Sequence, residues 1–403
     1  MNSDIPMSYN PVRIGLEQIA DNPPSVMRGA RLGLLMNQAS VDDRLRYSCD
    51  VLDEAFPRQL TTLFAPQHGL WGEQQANMIE SAHTVHSQLG IPVHSLYSET
   101  RKPTAAMLKD IDCFVVDLQD VGTRVYTFIW TISHCLEACV EAGIPIVVLD
   151  RPNPLGGERL EGPMLQAGQE SFVGRAPIPM RHGLTMGELT LVVNDLLQIG
   201  ANIHVVPLRG WQREMTWQAT NRYWIWPSPN VPRPESVTVY PGMVLLEGTN
   251  LSEGRGTTLP FELFGAPYVD PYLLAAKLTQ YSLPGVVFLP LRFVPTFDKW
   301  RGESCGGVLL QVTDANIFRP VLTSALSLAV VRSLWPEQFG WLPPPYEYEA
   351  IKPPIDIIAG TSQVRERIDA ISPGELPDRD VFEQVIAFDQ DAWLGRCRQY
   401  MLY

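Results

Sequence analysis

The chain has 403 residues, of which 45% are hydrophobic and 19% are charged, and its formal net charge is −13. This composition predicts a globular protein and excludes a disordered or fibrous chain. The negative charge argues against nucleic acid or an anionic membrane as the main partner, because both are bound through a basic surface.

In chain order, apolar runs without period-two alternation predict strands that are buried on both faces, as in a parallel sheet covered by helices. Such strands are predicted at 32–36, 60–64, 93–97, 114–117, 146–150 and 204–208, with helices at 45–55, 103–109, 126–142 and 185–199. Thr185 and Glu188 have the spacing of a capping box, which indicates where the last of these helices begins. The alternation predicts a Rossmann-like, mostly parallel α/β sheet.

The second part of the chain has a different texture. Aromatic and proline-rich loops begin near residue 211, and such loops often carry function. A helix at 271–280, strands at 286–293 and 307–312, and further helices then predict a smaller α/β domain. Because single cores stop growing at about 250 to 300 residues, we predict a catalytic domain at 1–260 and a second domain at 261–403. The active-site cleft is expected between them.

Polar residues follow two of the predicted strands directly. Because ligands bind beyond the carboxyl ends of strands in open α/β sheets, these residues are predicted to converge on a site. They are Asp117, Asp120, Arg124 and Tyr126 after the first strand, and Asp150, Arg151 and Asn153 after the second. For the two aspartates near residue 120, capping of the next helix is the alternative, and we expect one structural and one ligand-facing role.

The loop after the strand at 60–64 contains Gln67, His68, Trp71 and Glu73. One interpretation is an ordinary polar loop. The favoured one is a sugar site, where an aromatic face packs on the ring and a carboxyl group transfers a proton.

Other motifs are weaker. The segment 302–306 matches the G-x-S-x-G elbow by letters, but it lacks the preceding strand and following helix, so a polar turn is favoured. His83 and His86 lack further metal ligands nearby and are interpreted as solvated loop histidines.

The GRGT segment at 254–257 fits either an anion-binding loop that includes Arg255 or a simple turn. No dinucleotide or P-loop signature is present, and we expect neither a cofactor nor a metal.

Glu161, Glu188 and Glu247 are individually interpreted as structural, although Glu161 is the best functional candidate because it follows the RPNP loop closely. The six cysteines lack paired spacing, which favours buried free thiols over disulfides. The N-terminal residues lack a signal-peptide pattern and no apolar run is long enough to span a bilayer, so we expect a cytoplasmic protein.

A series of ordered blocks resembles the NamZ-like exo-β-N-acetylmuramidase family over the whole chain. The blocks include APQHG (65–69), DLQDVGTRVYT (117–127), VVLDRPNP (147–154), EGP (161–163), HGLTMGEL (182–189), PSPN (227–230), EGTNLSEGRGT (247–257) and the terminal YMLY. The resemblance implies a glycoside hydrolase that releases N-acetylmuramic acid from the non-reducing end of small peptidoglycan fragments during cell-wall recycling. His182 and Asn230, which lie in two of these blocks, join the predicted substrate contacts.

N-acetylmuramic acid carries a lactyl carboxylate, which suits the forked guanidinium of an arginine. Arg124, Arg151 and Arg255 are the candidates, and the first two are favoured because they lie at strand ends. The predicted partner is thus a small amino sugar or muropeptide. The oligomeric state is left open.

One position departs from the family pattern. The family commonly has a glutamate in the first block, as the favoured catalytic group, where this chain has Gln67. Because glycoside hydrolysis generally needs two carboxyl groups, we expect Glu73 to be the general acid, Asp120 or Glu161 its partner, and His68 to tune the loop.

Two alternatives remain open at this stage. Gln67 also fits a non-catalytic or altered-specificity sugar-binding protein. A metal-dependent hydrolase built on Asp117, Asp120 and Asp150 ranks last, because the neighbouring arginines disfavour a divalent cation.

Overall fold

The computed structural model describes residues 11–75 and 78–403, and its main feature is a seven-stranded sheet. The strands of this sheet are β1 (Leu32–Met36), β2 (Leu60–Ala65), β3 (Thr84–Val85), β4 (Pro92–Ser95), β5 (Cys113–Asp117), β6 (Ile146–Leu149) and β9 (Ile203–Val206). Their order is β3-β4-β2-β1-β5-β6-β9, and every neighbouring pair is parallel except β3 with β4. The predicted Rossmann-like sheet is confirmed.

The order of the strands defines where ligands can enter. From β1 the chain builds one half of the sheet through β2 and β4, and it then crosses to the other side of β1 to form β5. The carboxyl ends of β1 and β5 therefore form a topological switch point, where open α/β sheets bind their ligands.

Helices cover this sheet. They are α1 (Ser48–Ala55), α2 (Ala105–Leu108), α3 (Phe128–Ala142) and α4 (Met186–Leu196). The predicted capping box is confirmed, because the Thr185 hydroxyl accepts from the Glu188 N–H and the Glu188 carboxylate accepts from the Thr185 N–H. The strand predicted at 93–97 ends at Ser95, whose hydroxyl accepts from the Tyr97 N–H and turns the chain away.

The remaining elements form the second half of the molecule. Strands β7 (Glu161–Met164) and β8 (Pro179–Arg181) pair as a ribbon, and β10 (Leu263–Ala266), β11 (Val286–Phe293) and β12 (Cys305–Val312) form an antiparallel sheet in the order β10-β12-β11. The helices are α5 (Pro234–Met243), α6 (Pro271–Thr279), α7 (Pro320–Leu334), α8 (Pro354–Ala359), α9 (Gln363–Asp369), α10 (Arg379–Ile386) and α11 (Gln390–Cys397). One hydrophobic core runs from the large sheet into this half. The domain boundary near residue 260 stays a prediction.

Three smaller predictions are decided by the structure. The GESCG segment leads into β12 and not into a helix, which excludes the nucleophile elbow. All six cysteines are buried free thiols, as predicted. The prediction of a solvated His86 is wrong, because this side chain is buried and its Nδ1 accepts from the Leu89 N–H. None of the described helices is long and apolar enough to cross a membrane.

Helices α5 and α7 pack so closely that a glycine is required between them. A β-carbon at Gly242 would overlap the carbonyl group of Pro320. We therefore expect Gly242→Ala to lower the free energy of unfolding by about 1–3 kcal/mol, as overpacking does. Gly395, in α11, has no heavy atom within 4 Å of such a β-carbon, so Gly395→Ala should stabilise by up to about 1 kcal/mol. Urea denaturation measures the free energy of unfolding of both variants. Equal changes in the two variants would contradict this account of the packing.

Candidate active site

A narrow cavity lies where the loops after β2 and β5 meet the second half of the chain. It is lined by Gln67, His68, Val125, Tyr126, Thr127, Phe128, Val173, Ser228, Asn230, Val231, Tyr240, Glu247, Arg255, Phe261 and Glu347. Its volume of about 30 Å³ accommodates reacting groups and not a whole sugar ring. Of the residues predicted from sequence, five lie here: Gln67, His68, Tyr126, Asn230 and Arg255.

Glu347 reaches the cavity from a tight hairpin turn. Tyr346 and Glu349 exchange two backbone hydrogen bonds of 2.9 Å, and the two residues between them have positive φ angles, 44° at Glu347 and 68° at Tyr348. Such turns usually contain asparagine or glycine, so other residues there carry backbone strain that the surroundings must maintain. The turn buries Glu347 and leaves Tyr348 47% exposed.

The Glu347 carboxyl group is held by two donors from the loops that follow β2 and β4. Its Oε2 accepts from the Tyr97 hydroxyl at 2.7 Å, and its Oε1 accepts from Gln67 Nε2 at 3.1 Å. The Thr127 hydroxyl donates to Gln67 Oε1 at 2.6 Å and so fixes the amide. Burial raises the pKa of Glu347, although the two donors oppose this effect. The result is a buried carboxyl group that takes up a proton more readily than an exposed one.

Glu247 has the opposite environment. Arg255 Nη2 donates to its Oε1 at 2.5 Å, and the Tyr346 hydroxyl donates to its Oε2. Arg255 Nε lies 3.0 Å from Glu253 Oε1, and Lys299 also pairs with Glu253. Burial alone would lower the pKa of Arg255. The carboxylates of Glu247 and Glu253 outweigh this effect, so the pKa of Arg255 is raised above its ordinary value. Glu247 is therefore the carboxylate that is paired with a permanent cation.

His68 holds its loop without supplying an acidic proton. It is buried with a φ of 74°, and its Nδ1 lies 2.7 Å from the carbonyl oxygen of Gln74, which makes Nδ1 the donor. Nε2 then accepts from the Ser228 hydroxyl at 3.2 Å. Burial lowers the pKa of His68 to about 4, so its imidazole is neutral at neutral pH.

Asp120 is buried and does not line the narrow cavity. Its Oδ2 accepts from the Gly122 N–H at 2.8 Å and from His182 Nε2 at 3.2 Å. Within residues 11–75 and 78–403, Asp120 Oδ1 and the Tyr126 hydroxyl are buried without a hydrogen-bond partner. Asn230 donates to the carbonyl oxygen of Gln75 at 2.7 Å, and its Oδ1 is also without a partner there.

The two arginines favoured for the substrate carboxylate do not line this cavity. Arg124 is completely buried, and its guanidinium donates to the carbonyl oxygens of Pro163, Ile178 and Ile358 at 2.8–3.0 Å. Arg151 forms a two-bond pair with Asp117 at 2.5 and 2.9 Å. Both guanidinium groups are thus occupied by the protein, so their placement supports structural roles.

Three further predicted residues also have structural contacts. Asp150 accepts from Thr185, Gly187 and the Tyr403 hydroxyl. Asn153 donates to the carbonyl oxygen of Leu184 and accepts from the Leu155 N–H. Glu161 accepts from the N–H groups of Val321 and Leu322 at the N-terminus of α7, where a carboxylate is favourable.

Glu73 and Trp71 lie on the outer side of their loop. Both are exposed, and the Glu73 carboxylate folds back against Gly69. Trp71 packs against Tyr47 and His86, with ring centroids 5.2 and 5.9 Å away. The structure does not bring either side chain to the cavity, and the acid role predicted for Glu73 stays a prediction.

Sequence reasoning did not single out Glu347 and treated Glu247 as structural. Glu347 lies in a proline-rich segment without a preceding strand, and it meets Gln67 across 280 positions of sequence. Glu247 had a usable signal, because it shares the EGTNLSEGRGT block with its partner Arg255.

Two buried carboxyl groups in different environments, one with a raised pKa and one paired with an arginine, fit the class of glycosidase-type hydrolases. Family models described as the N-terminal and C-terminal parts of the exo-β-N-acetylmuramidase NamZ match residues 32–235 and 238–403. The chain belongs to the NamZ family.

Similar proteins agree with this assignment. The chain is 45% identical to the peptidoglycan β-N-acetylmuramidase NamZ of Bacillus subtilis strain 168. The similarity extends over 331 residues, which are 82% of this chain and 80% of that protein. Two crystal structures of DUF1343 family proteins from Bacteroides fragilis NCTC 9343 are also similar. One has a TM-score of 0.86 at 33% identity, covering 97% of this chain and 99% of the other. The second has a TM-score of 0.74 at 27% identity, covering 98% and 99%.

The contacts of Arg124 predict an effect on stability and not on substrate binding. Arg124→Lys keeps the charge but cannot reach three carbonyl oxygens, so we expect the free energy of unfolding to fall by about 3 kcal/mol. The KM of the folded variant should stay at the wild-type value. Arg28→Lys, at an exposed arginine, is the control and should change stability by less than about 0.5 kcal/mol. A raised KM with an unchanged free energy of unfolding would contradict this expectation and support a role of Arg124 in substrate binding.

Proposed function

We propose that this exo-acting glycosidase removes N-acetylmuramic acid from the non-reducing end of small peptidoglycan fragments through the carboxyl groups of Glu347 and Glu247. The B. subtilis relative is named for the same activity on peptidoglycan. The observation that carries the proposal is the pair itself. One carboxyl group is buried with a raised pKa and the other is held by Arg255 in the same cavity.

Each carboxyl group suits one half of the reaction. Glycoside hydrolysis needs an acid that protonates the leaving oxygen and a second carboxylate that acts as nucleophile or as base toward water. Glu347 has the raised pKa that a general acid needs. Glu247 can supply the negative charge that stabilises an oxocarbenium-like transition state, since Arg255 and Tyr346 fix its orientation.

Gln67 then acts as a positioning residue. Its Nε2 donates to Glu347 Oε1, and Thr127 keeps the amide in that orientation. With an amide at position 67, the cavity still contains two carboxyl groups, those of Glu247 and Glu347. This arrangement supports catalysis over the non-catalytic sugar-binding alternative.

We also propose that the enzyme works on imported fragments in the cytoplasm, as part of cell-wall recycling. Six buried free thiols support a reducing compartment.

A chromogenic aryl N-acetylmuramide tests the activity directly. We expect turnover of this substrate and, because the N-acetylglucosaminide lacks the lactyl carboxylate, at least about 100-fold lower kcat/KM for the matched aryl N-acetylglucosaminide. Release of the aryl group is followed by absorbance. Binding of N-acetylmuramic acid without turnover of any aryl glycoside would favour the non-catalytic alternative.

Glu347→Gln and Glu73→Gln separate the two candidates for the general acid. If Glu347 is the acid, its variant should lose about 10²–10⁴-fold in kcat, while the Glu73 variant stays near wild type. The wild-type kcat/KM should fall as the pH rises through the raised pKa of Glu347, because only the protonated carboxyl group donates. A large loss in Glu73→Gln alone would restore the assignment made from sequence.

A further inference from the structure

The loop between β11 and β12 packs against the segment that carries Arg255. The N–H and the hydroxyl of Thr296 both donate to the carbonyl oxygen of Gly256 at 2.9 Å. A β-carbon at Gly256 would lie 2.8 Å from backbone atoms of Thr296 and Phe297, so this close approach requires glycine. The loop contains the polar residues that precede GESCG, and the proposed chemistry does not otherwise use them.

The contacts of the loop hold Lys299 in one position. The residues on both sides of it, Asp298 and Trp300, have positive φ angles of 65° and 59°. Such conformations cost free energy and persist where surrounding contacts maintain them. One of these contacts is the hydrogen bond that the Trp300 indole donates to the carbonyl oxygen of Asn250 at 2.5 Å.

Lys299 extends from this loop to the backbone beside Glu247. Its Nζ donates to the carbonyl oxygens of Leu246 at 2.8 Å and Leu251 at 3.0 Å, and to Glu253 Oε2 at 2.9 Å. All three donors of the ammonium group are therefore used. Because Leu246 directly precedes Glu247 in the chain, one of these bonds holds the backbone next to a carboxyl group of the proposed pair.

Four charged side chains alternate in sign from Lys299 to the narrow cavity. Lys299 pairs with Glu253, whose Oε1 lies 3.0 Å from Arg255 Nε. Arg255 in turn pairs with Glu247. Lys299 is 14% exposed and the other three side chains are at most 6% exposed. Charges interact more strongly here than in water, so each group affects the next.

Without Lys299, the charge of Glu253 would be compensated by Arg255 alone. Burial raises the pKa of Glu253, but Lys299 and Arg255 outweigh this effect and lower it. Lys299 thus supplies a positive charge to Glu253 and leaves more of the Arg255 charge to Glu247. A nearby cation favours the ionised form of Glu247, which a nucleophile or base needs.

Other titratable groups also face Glu247. They are Tyr346, which donates to its carboxylate, and Tyr240, Glu347 and Asp298. None of these four carries a positive charge. In the described part of the chain, the cation that pairs with Glu247 is therefore Arg255.

We propose that Lys299 and Glu253 are positioning residues of the reaction, which keep the guanidinium group of Arg255 directed at Glu247. The proposal rests on the proposed function, because it needs Glu247 as the carboxylate that reacts in its ionised form. Neither Lys299 nor Glu253 lines the narrow cavity. Both therefore act through Arg255 and the backbone, and not through contact with the substrate.

The pH dependence of kcat/KM for an aryl N-acetylmuramide tests this role, because two variants change the charge in opposite directions. The acidic limb of the profile reports the carboxyl group that must be ionised. Lys299→Met removes a positive charge, so the acidic limb should move to higher pH by about 0.5–1 unit. Glu253→Gln removes a negative charge, so the limb should move to lower pH. The double variant should return toward the wild-type profile.

Two further variants are the controls. Lys299→Arg keeps the charge, and Lys109→Met removes a charge from a 73% exposed lysine after α2, where solvent screens it. Both should leave the acidic limb within about 0.2 pH unit of wild type. Lower activity of both test variants without a shift, or shifts of the same sign, would indicate a purely structural role and overturn the proposal. If Lys299→Met does not fold, the direction of the shift in Glu253→Gln decides.

Infrared difference titration of the full chain supplies a readout that does not need turnover. The carboxyl band of Glu247, assigned by its loss in Glu247→Gln, should titrate at higher pH in Lys299→Met and at lower pH in Glu253→Gln. If the wild-type protein hydrolyses no aryl N-acetylmuramide, the proposed function fails, and this titration still decides whether Lys299 and Glu253 control the charge of Glu247. An unchanged titration in both variants would overturn the proposal in either case.

Discussion

The completely buried guanidinium group of Arg124 is the contact that joins the two halves of the molecule behind the site. Burying a cation costs free energy unless hydrogen bonds compensate it. Here the two terminal nitrogens donate to carbonyl oxygens from β7, from the residue before β8 and from α8, whereas Nε is without a partner in the described part of the chain. Arg124 lies two residues before Tyr126, in the loop that lines the narrow cavity, and α8 follows the turn that carries Glu347. The same side chain therefore ties the loop after β5 to the helix that follows the turn of the proposed acid, which stabilises the fold behind the site. Burial lowers the pKa of Arg124 to about 9, which still leaves the group charged at neutral pH.

The environments of the two carboxyl groups differ for a simple reason. Glu247 faces an arginine, whereas Glu347 faces a tyrosine hydroxyl and an amide, which stabilise a negative charge less than a cation does. We therefore assign the general acid to Glu347, the carboxyl group that is not paired with a cation. Burial also favours the neutral ring of His68, whose pKa is lowered to about 4.

Three residues that line this site have a strained backbone conformation. His68, Phe261 and Glu347 all have positive φ angles, and all three line the narrow cavity. A non-glycine residue in this conformation costs free energy and persists only where the surrounding contacts maintain it. The three side chains approach the same space from the end of β2, from the segment before β10 and from the turn at 346–349. Their convergence is independent support for a functional site at this position.

The sequence by itself determined six of the seven strands of the sheet, most of its helices, the capping box at Thr185 and the family, because period, capping and motif blocks are local properties of the chain. The short edge strand β3 was not predicted. It also named Gln67, His68, Tyr126, Asn230 and Arg255, which all line the narrow cavity. The first three follow predicted strands, whose ends meet at one edge of a parallel sheet, whereas Asn230 and Arg255 were named from the family blocks and a glycine-rich loop. Only the tertiary structure decided that Arg124 and Arg151 face protein acceptors and that Glu73 lies on the outer side of its loop. Only the tertiary structure brought Glu347 to Gln67, because a hydrogen bond across 280 residues depends on how the second half packs and leaves no periodic pattern along the chain.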